Sequence, residues 1–407
     1  MTGALSHIRV LDLSRVLAGP WASQTLADCG AEVIKVERPR DGDDTRNWGP
    51  PFLKDSNGNE TRESAYFLSA NRGKLSVTVN VAEPEGQDII RRLAEASDVF
   101  IENYKVGDMA RYGLSYDELK KINPRLIYCS ITGFGQDGPM AELPGYDFII
   151  QGLGGLMSIT GERDNLSGGG PQKVGVAVSD IMTGLYATIA ILAAIAHRTE
   201  TGEGQHIDLA LLDTQVATTA VMGMNYLVSG VIPQREGNAH ANVVPYQVFR
   251  ALDDDLIIAV GNDRQFSKLC ELIGAPEFAV DVRFALNENR VRHRESLIPL
   301  LQDILSTRTV DEWVAVLLPG GVPCGPINNL AQVFQHPQVR ERGMQLGLDH
   351  ACGGITPSIA NPIKFSGTPI AYDKAPPILG QHTKQVLTTI GGISEAELES
   401  LAAKGIV

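Results

Sequence analysis

The sequence predicts an α/β protein: a large domain with an open, mostly parallel, Rossmann-like sheet, and a smaller α+β domain, after which the chain returns to the first. Three observations carry this. Strand-like and helix-like segments alternate through the first 135 residues, the pattern of a sheet with helices on both faces. An almost unbroken apolar segment, 181–196, reads as a helix buried inside a large domain. From residue 246 onward a hairpin pattern and short helices replace the alternation.

At 407 residues the chain exceeds what one core usually supports. The expected division is a large α/β part at 1–227, a small α+β part with linkers at 228–354, and a return at 355–407.

The elements follow in order. Residues 8–13 form an apolar strand with Arg9 and Asp12 as its only charges. Pro20 suits a first helical turn and Gly30 a helical stop. A strand at 31–36 closes a βαβ unit of about 30 residues. The loop at 37–51 interleaves Arg38, Arg40 and Arg46 with Asp41, Asp43 and Asp44, and so has no net basic patch. Strands are expected at 75–81, 98–102 and 126–131, with helices at 84–96 and 116–122. A glycine-rich stretch, 144–170, reads as irregular; a short extended run at 174–178 then leads into the apolar helix. A strand at 205–210 and one helix at 211–227 follow. The second domain has a hairpin of 246–251 with 256–261 and helices at 264–273, 292–305 and 310–318. A strand at 355–365 and helices at 383–390 and 394–404 end the chain.

Composition narrows the function. A net charge of −13 argues against a nucleic-acid or anionic-membrane partner, while leaving room for an anionic small ligand held by a local group of arginines. The segment 181–196 is shorter than the roughly 20 apolar residues a bilayer needs, and residues 1–7 lack a signal-peptide pattern. Cys29, Cys129, Cys270, Cys324 and Cys352 include no Cys-x-x-Cys, which suits a reducing cytoplasm and implies no metal.

Open parallel sheets bind ligands beyond the carboxyl ends of their strands, here the loops at 14–20, 37–46, 103–111 and 132–139. No Gly-x-Gly-x-x-Gly follows the first strand and no phosphate-cradling Gly-x-x-x-x-Gly-Lys-Ser/Thr occurs. Asp180 opens the apolar helix. There it is either a cap for unpaired N–H groups or a carboxylate held in a dry site as a nucleophile. The residues alone leave both open.

Several segments, in order, resemble the class III coenzyme A transferases. They include VLDLSRVLAGP (10–20), GAEVIKVERPRDGDDTR (30–46), NRGKLSVTVN (71–80), FIENYKVGDMARYGL (100–114), ITGFGQDGP (131–139), GYDFIIQGLGGLMSITG (145–161) and VGVAVSDIMTGLYA (174–187). TGEGQHIDLALLD (201–213), PYQVF (245–249), GVPCGPI (321–327) and LGQHTKQVL (379–387) continue the series.

The resemblance implies an enzyme, an acyl-CoA:carboxylate CoA-transferase, with Asp180 as nucleophile and an interlocked homodimer as the assembly. It implies coenzyme A contacts at Val16, Leu17, Arg38, Val79, Asn80, Val81, Ala82, Asn103, Tyr104 and Arg111. Coenzyme A and acyl-CoA enter as substrates, with no tightly bound cofactor. Arg15 and Arg46 are candidates to hold the free carboxylate of a dicarboxylic acid; Tyr146 and His240 are candidates to face the substrate. Succinyl-CoA is the expected donor. Two other readings stay open. The racemase branch of the family uses a histidine where this chain has Tyr146, and a tyrosine near pKa 10 is a poor neutral-pH base. A non-catalytic acyl-CoA-binding protein is the other.

Overall fold

The computed structural model describes residues 3–407. Six parallel strands form the main sheet: β1 (Arg9–Asp12), β2 (Glu32–Glu37), β3 (Lys74–Thr78), β4 (Val99–Glu102), β5 (Ile127–Thr132) and β6 (His206–Ala210). Their spatial order is β3-β2-β1-β4-β5-β6, every neighbour parallel. This is the doubly wound arrangement, and the order reverses between β1 and β4.

Alternation along the strands builds the two faces. Val10, Val33, Val99 and Ile101 point to one side, where they pack with Ala22 and Leu26 of helix Ala18–Asp28 and Ala187 and Ile191 of helix Val178–Thr201. Leu11, Ile34 and Phe100 point to the other, against helices Pro84–Glu95, Tyr116–Ile122, Thr383–Thr389 and Glu395–Ala403. The C-terminal helices therefore complete the first core. Gly184 makes the contact between the two helices of the first face possible. A Cβ there would lie 2.6 Å from the Ala18 carbonyl oxygen and 3.0 Å from Trp21.

The long helix departs from the sequence expectation at its start and in its length. Residues 174–177 are not a strand: the Val174 N–H goes to the Gln151 side chain, and the helix begins at Val178, so Asp180 is its third residue, not its cap. With 24 residues it is long and apolar enough to cross a bilayer by length and composition. Here it packs on helix Ala18–Asp28 and the sheet, with Arg198 ion-paired to Asp98 at 3.0 Å. The expected helix 211–227 is two, Leu211–Thr218 and Ala220–Ser229, broken where Ala220 takes a positive φ of 45°. The glycine-rich stretch is not wholly irregular. It holds helices Asp147–Leu153 and Leu156–Ile159.

The chain divides into two compact units: Met1–Leu156, Val174–Gly223 and Pro337–Val407 in the first, Met157–Lys173 and Met224–His336 in the second. These boundaries differ from those expected at 228 and 355. Strand Ile355–Ile359 pairs antiparallel with Gln345–Asp349, which places residues ahead of 355 in the first unit. Residues 157–173 join the second unit through Arg163, paired with Glu236 at 2.6 Å, and through Arg235, which donates to the Ser158 carbonyl. The second unit has a three-stranded antiparallel sheet, Tyr246–Arg250, Asp255–Ala259 and Cys324–Pro326, over a core that includes Phe249, Phe266, Leu301 and Trp313.

Candidate active site

The loop after β1 is built on buried charge. Asp12, fully buried at the end of β1, accepts from the Ser14 backbone N–H and the Ser14 and Ser23 hydroxyls, and pairs with Lys74 Nζ from β3 at 3.3 Å. Lys35 of β2, also fully buried, donates to the Ser14 carbonyl at 3.0 Å and pairs with Asp43 at 2.9 Å. Asp43 in turn accepts the Val16 N–H, which holds Val16 in a left-handed conformation with φ of 69°. Burial opposes the charge on both lysines: it takes Lys74 down to about 7, while Asp43 and Asp12 outweigh it at Lys35 and raise that amine above its ordinary value. The hydrogen bonds of this network fix the loop in place.

The loop after β4 locks onto it. The Asn103 side chain accepts the Arg15 N–H at 2.9 Å and donates to the Arg15 carbonyl at 2.7 Å. β1 and β4 are the neighbours at the reversal of strand order, where doubly wound sheets open a crevice. A cavity of about 190 Å³ lies there, lined by Arg15, Val16, Leu17, Asn103, Tyr104, Tyr146 and Asp180. A second cavity of about 100 Å³ is lined by Arg38, Val79, Asn80, Val81 and Ala82, and Arg15 and Tyr104 line both.

Asp180 stands in the first turn of its helix, half-buried in the cavity wall. Burial, and then the charge of Asp147, push its carboxyl from 3.8 up to about 7. Asp147 itself accepts the Ser179 N–H at 2.8 Å and the Gln151 side-chain amide at 2.7 Å. Tyr66 also senses this site: burial and the charges of Asp180 and Asp147 raise its phenol to about 12, so it stays a hydroxyl donor.

Of the residues singled out in the sequence, Val16, Leu17, Arg15, Asn103, Tyr104, Tyr146 and Asp180 meet in the first cavity, and Arg38 with Val79, Asn80, Val81 and Ala82 in the second. Three do not join them. Arg46 is buried, and each nitrogen of its guanidinium is engaged: by Glu37 at 2.7 and 2.9 Å, by Glu63 at 2.9 Å, and by the Pro377 carbonyl, with the Phe67 ring 3.6 Å away. Its partners all lie within the fold, and it lines neither cavity. Arg111 faces solvent, paired with Asp108 at 3.0 Å, and lines neither cavity. His240 belongs to the second unit, where its ring packs on Tyr246 and its Nδ1 accepts the Asn242 N–H. Among the described residues no group of three or more His, Cys, Asp or Glu is placed to hold a metal.

Sequence reasoning missed Asp147 and Asp44. Asp147 had one signal: it opens an apolar segment with Gln151 four residues on, which is one face of a helix. Asp44 had none, since only the fold brings it to the site.

The fold and site define a class of α/β protein with a carboxylate at the switch point of a doubly wound sheet and without the glycine fingerprint of dinucleotide binding. The family model described as CoA-transferase family III matches residues 5–383, and the chain belongs to that family of enzymes. It is 49% identical over 402 residues to the succinate–glutarate CoA-transferase of Agrobacterium fabrum, covering 98% of this chain and 96% of that one. It is 42% identical over 403 residues to the succinyl-CoA:glutarate CoA-transferase of Mus musculus, covering 99% and 90%. The crystal structure of a CAIB/BAIF family protein from Brucella suis superposes with a TM-score of 0.83 at 48% identity, over 96% of this chain and 100% of that one.

Proposed function

We propose that this chain transfers coenzyme A between succinyl-CoA and a free dicarboxylate such as glutarate, with Asp180 as the covalent carrier. The observation that carries the reading is the Asp180 carboxylate in the wall of a cavity that shares Arg15 and Tyr104 with a second, arginine-bearing hollow. The names of the relatives in Agrobacterium and mouse support the choice of acids.

An Asp180 oxygen attacks the thioester carbonyl, the C–S bond breaks, and CoA leaves as thiolate, which gives a mixed anhydride. The thiolate attacks the aspartyl carbonyl and expels the donor's carboxylate, which leaves an aspartyl-CoA thioester. The acceptor carboxylate attacks that thioester, and the released thiolate attacks the acceptor's carbonyl in the new anhydride. Asp180 is then free again. Splitting one difficult exchange into such steps is what a covalent carrier supplies.

Arg38 in the second hollow supplies charge for the nucleotide end of coenzyme A. The assembly proposed is a homodimer. Leu185, Ile189 and Leu192 stand at i, i+4 and i+7 on the long helix and are 39%, 61% and 40% exposed, a stripe that a second copy would cover. Sedimentation of wild-type and Ile189→Glu protein tests it: a wild-type monomer refutes the dimer.

Incubation with succinyl-CoA, followed by hydroxylamine or borohydride trapping and peptide mass spectrometry, tests the reaction. The expected result is modification at Asp180 and none in Asp180→Ala. Tight coenzyme A binding with no modified Asp180 would instead make this a binding protein.

A further inference from the structure

We infer that Arg15 is the receptor for the second, non-reacting carboxylate of the exchanged acid, and that Asp44 is the residue that positions it. This rests on the transfer reading above and adds the element that selects a dicarboxylic over a monocarboxylic acid.

The backbone of Arg15 is held on both sides by Asn103, which accepts its N–H and donates to its carbonyl. Its side chain is held by one edge only. Nη1 pairs with Asp44 Oδ2 at 2.9 Å, and the guanidinium lies over the Tyr104 ring at 5.5 Å. The opposite edge is different: Nε is closed off from solvent and has no hydrogen-bond partner among the described residues. The Arg15 side chain as a whole is 36% exposed and lines the same cavity as Asp180, and a guanidinium held at one edge is suited to recognise a carboxylate. One molecule can therefore meet both groups, with its reacting carbonyl at Asp180 and its far carboxylate at Arg15.

The local charge agrees. Asp44 is shared: its Oδ1 also pairs with Arg38 Nη2 at 2.6 Å. Two guanidiniums share one carboxylate, so Asp44 does not fully neutralise Arg15. Arg46 cannot share this role, since its nitrogens are all engaged by Glu37, Glu63 and Pro377. An ordinary exposed Arg–Asp pair would be worth little and would not need the Asn103 clamp.

The test compares succinyl-CoA with butyryl-CoA, four-carbon acyl groups that differ in the terminal carboxylate. The readout is the rate at which each forms the Asp180–CoA thioester, followed by intact-protein mass, and the quantity of interest is the succinyl/butyryl rate ratio. Arg15→Gln is expected to lower this ratio by on the order of 10- to 100-fold, the loss of a charge-assisted pair. Arg15→Lys, which keeps the charge without the guanidinium, should fall between. Asp44→Asn leaves Arg15 charged but unheld and should lower the ratio by a smaller factor; a ratio that rises in this variant overturns the positioning role. Wild-type adduct with an unchanged ratio in both Arg15 variants overturns the assignment alone. Wild-type protein that forms no adduct with either thioester refutes the transferase reading and the assignment with it.

Discussion

The carboxylate of Asp147 accepts the Ser179 backbone N–H at 2.8 Å, one residue ahead of Asp180. The helix that carries Asp180 has Ala177 at its N-cap, with no side chain to cap it. Asp147 supplies that cap from the neighbouring helix, and Gln151, one turn on, takes the Val174 N–H at 2.9 Å. One short helix therefore braces the approach to Asp180 at two points. It also brings a second negative charge near the first.

That charge sets a pH dependence. Asp180 must be ionised to attack, and burial followed by Asp147 raises its carboxyl to about 7. The rate of adduct formation should rise with pH through about 7 and level above it. In Asp147→Asn the repulsion is gone, so the rising limb should move to the acid side. Stopped-flow release of coenzyme A thiol across pH 5.5–9 measures both. A limb that stays in place in Asp147→Asn would show that burial alone sets the value.

The same shift predicts a stability trend. Because the folded carboxyl sits at about 7 against an ordinary 3.8, the folded chain keeps a proton that the unfolded chain has released. Between roughly pH 4 and pH 7 the stability from this group therefore falls as pH rises, and above 7 it stays lost. Asp180→Asn removes that fall. Thermal melts should find the variant more stable than wild type at pH 8 and close to it near pH 4. Such a gain on loss of the reacting group is the expected mark of a destabilised active site.

Much of this was legible in the residues. Strands rich in Val and Ile alternating with helices led to the parallel sheet, because both faces of such a sheet are covered and each strand reads as apolar. The loops at its carboxyl edge were placed by topology alone. Three things were not legible. Arg46 looked like Arg15 in sequence, since both stand in loops with aspartates nearby; only the fold brings Glu37, Glu63 and Phe67 around Arg46 and makes it a strut. The start of the long helix was misplaced because the run at 174–178 is apolar enough for a strand but has no strand to pair with; Gln151 takes its amide instead. The membership of residues 157–173 depended on ion pairs with residues more than 70 positions away, at Glu236 and Arg235.

Arg46→Ala should separate support from recognition. It leaves Glu37 and Glu63 close together and buried without their shared cation, a change that typically costs about 3–5 kcal/mol. Burial, and after the opposing pull of Arg46 the charge of Glu37, already raise Glu63 above the ordinary carboxylate value. Without Arg46 both carboxyls are driven towards their neutral forms, so the loss should be largest at high pH and ease as pH falls. Melting curves at pH 5 and pH 8 measure this. The folded variant should keep its preference for succinyl-CoA over butyryl-CoA; losing it would return Arg46 to the substrate site.

Part of the cavity wall depends on two glycines in contact. A Cβ on Gly145 would lie 2.4 Å from Gly133 Cα, and one on Gly133 would lie 2.6 Å from Gly145 Cα. Gly133 follows β5, its carbonyl accepts the Leu212 N–H at 3.1 Å, and both glycines line the cavity. Gly145 leads directly to Tyr146 and Asp147, so the closeness of two backbones sets where Asp147 stands. In Gly145→Ala the backbones must part, at a packing cost of about 1–3 kcal/mol, and Asp147 moves with them. The 2.8 Å bond to Ser179 then weakens. The variant should melt lower and form adduct more slowly, and its pH limb should shift to the acid side as in Asp147→Asn. If it melts lower while the limb stays in place, the wall serves the fold alone. If neither changes, Asp147 is held by its own helix and the glycine contact has no part in placing it.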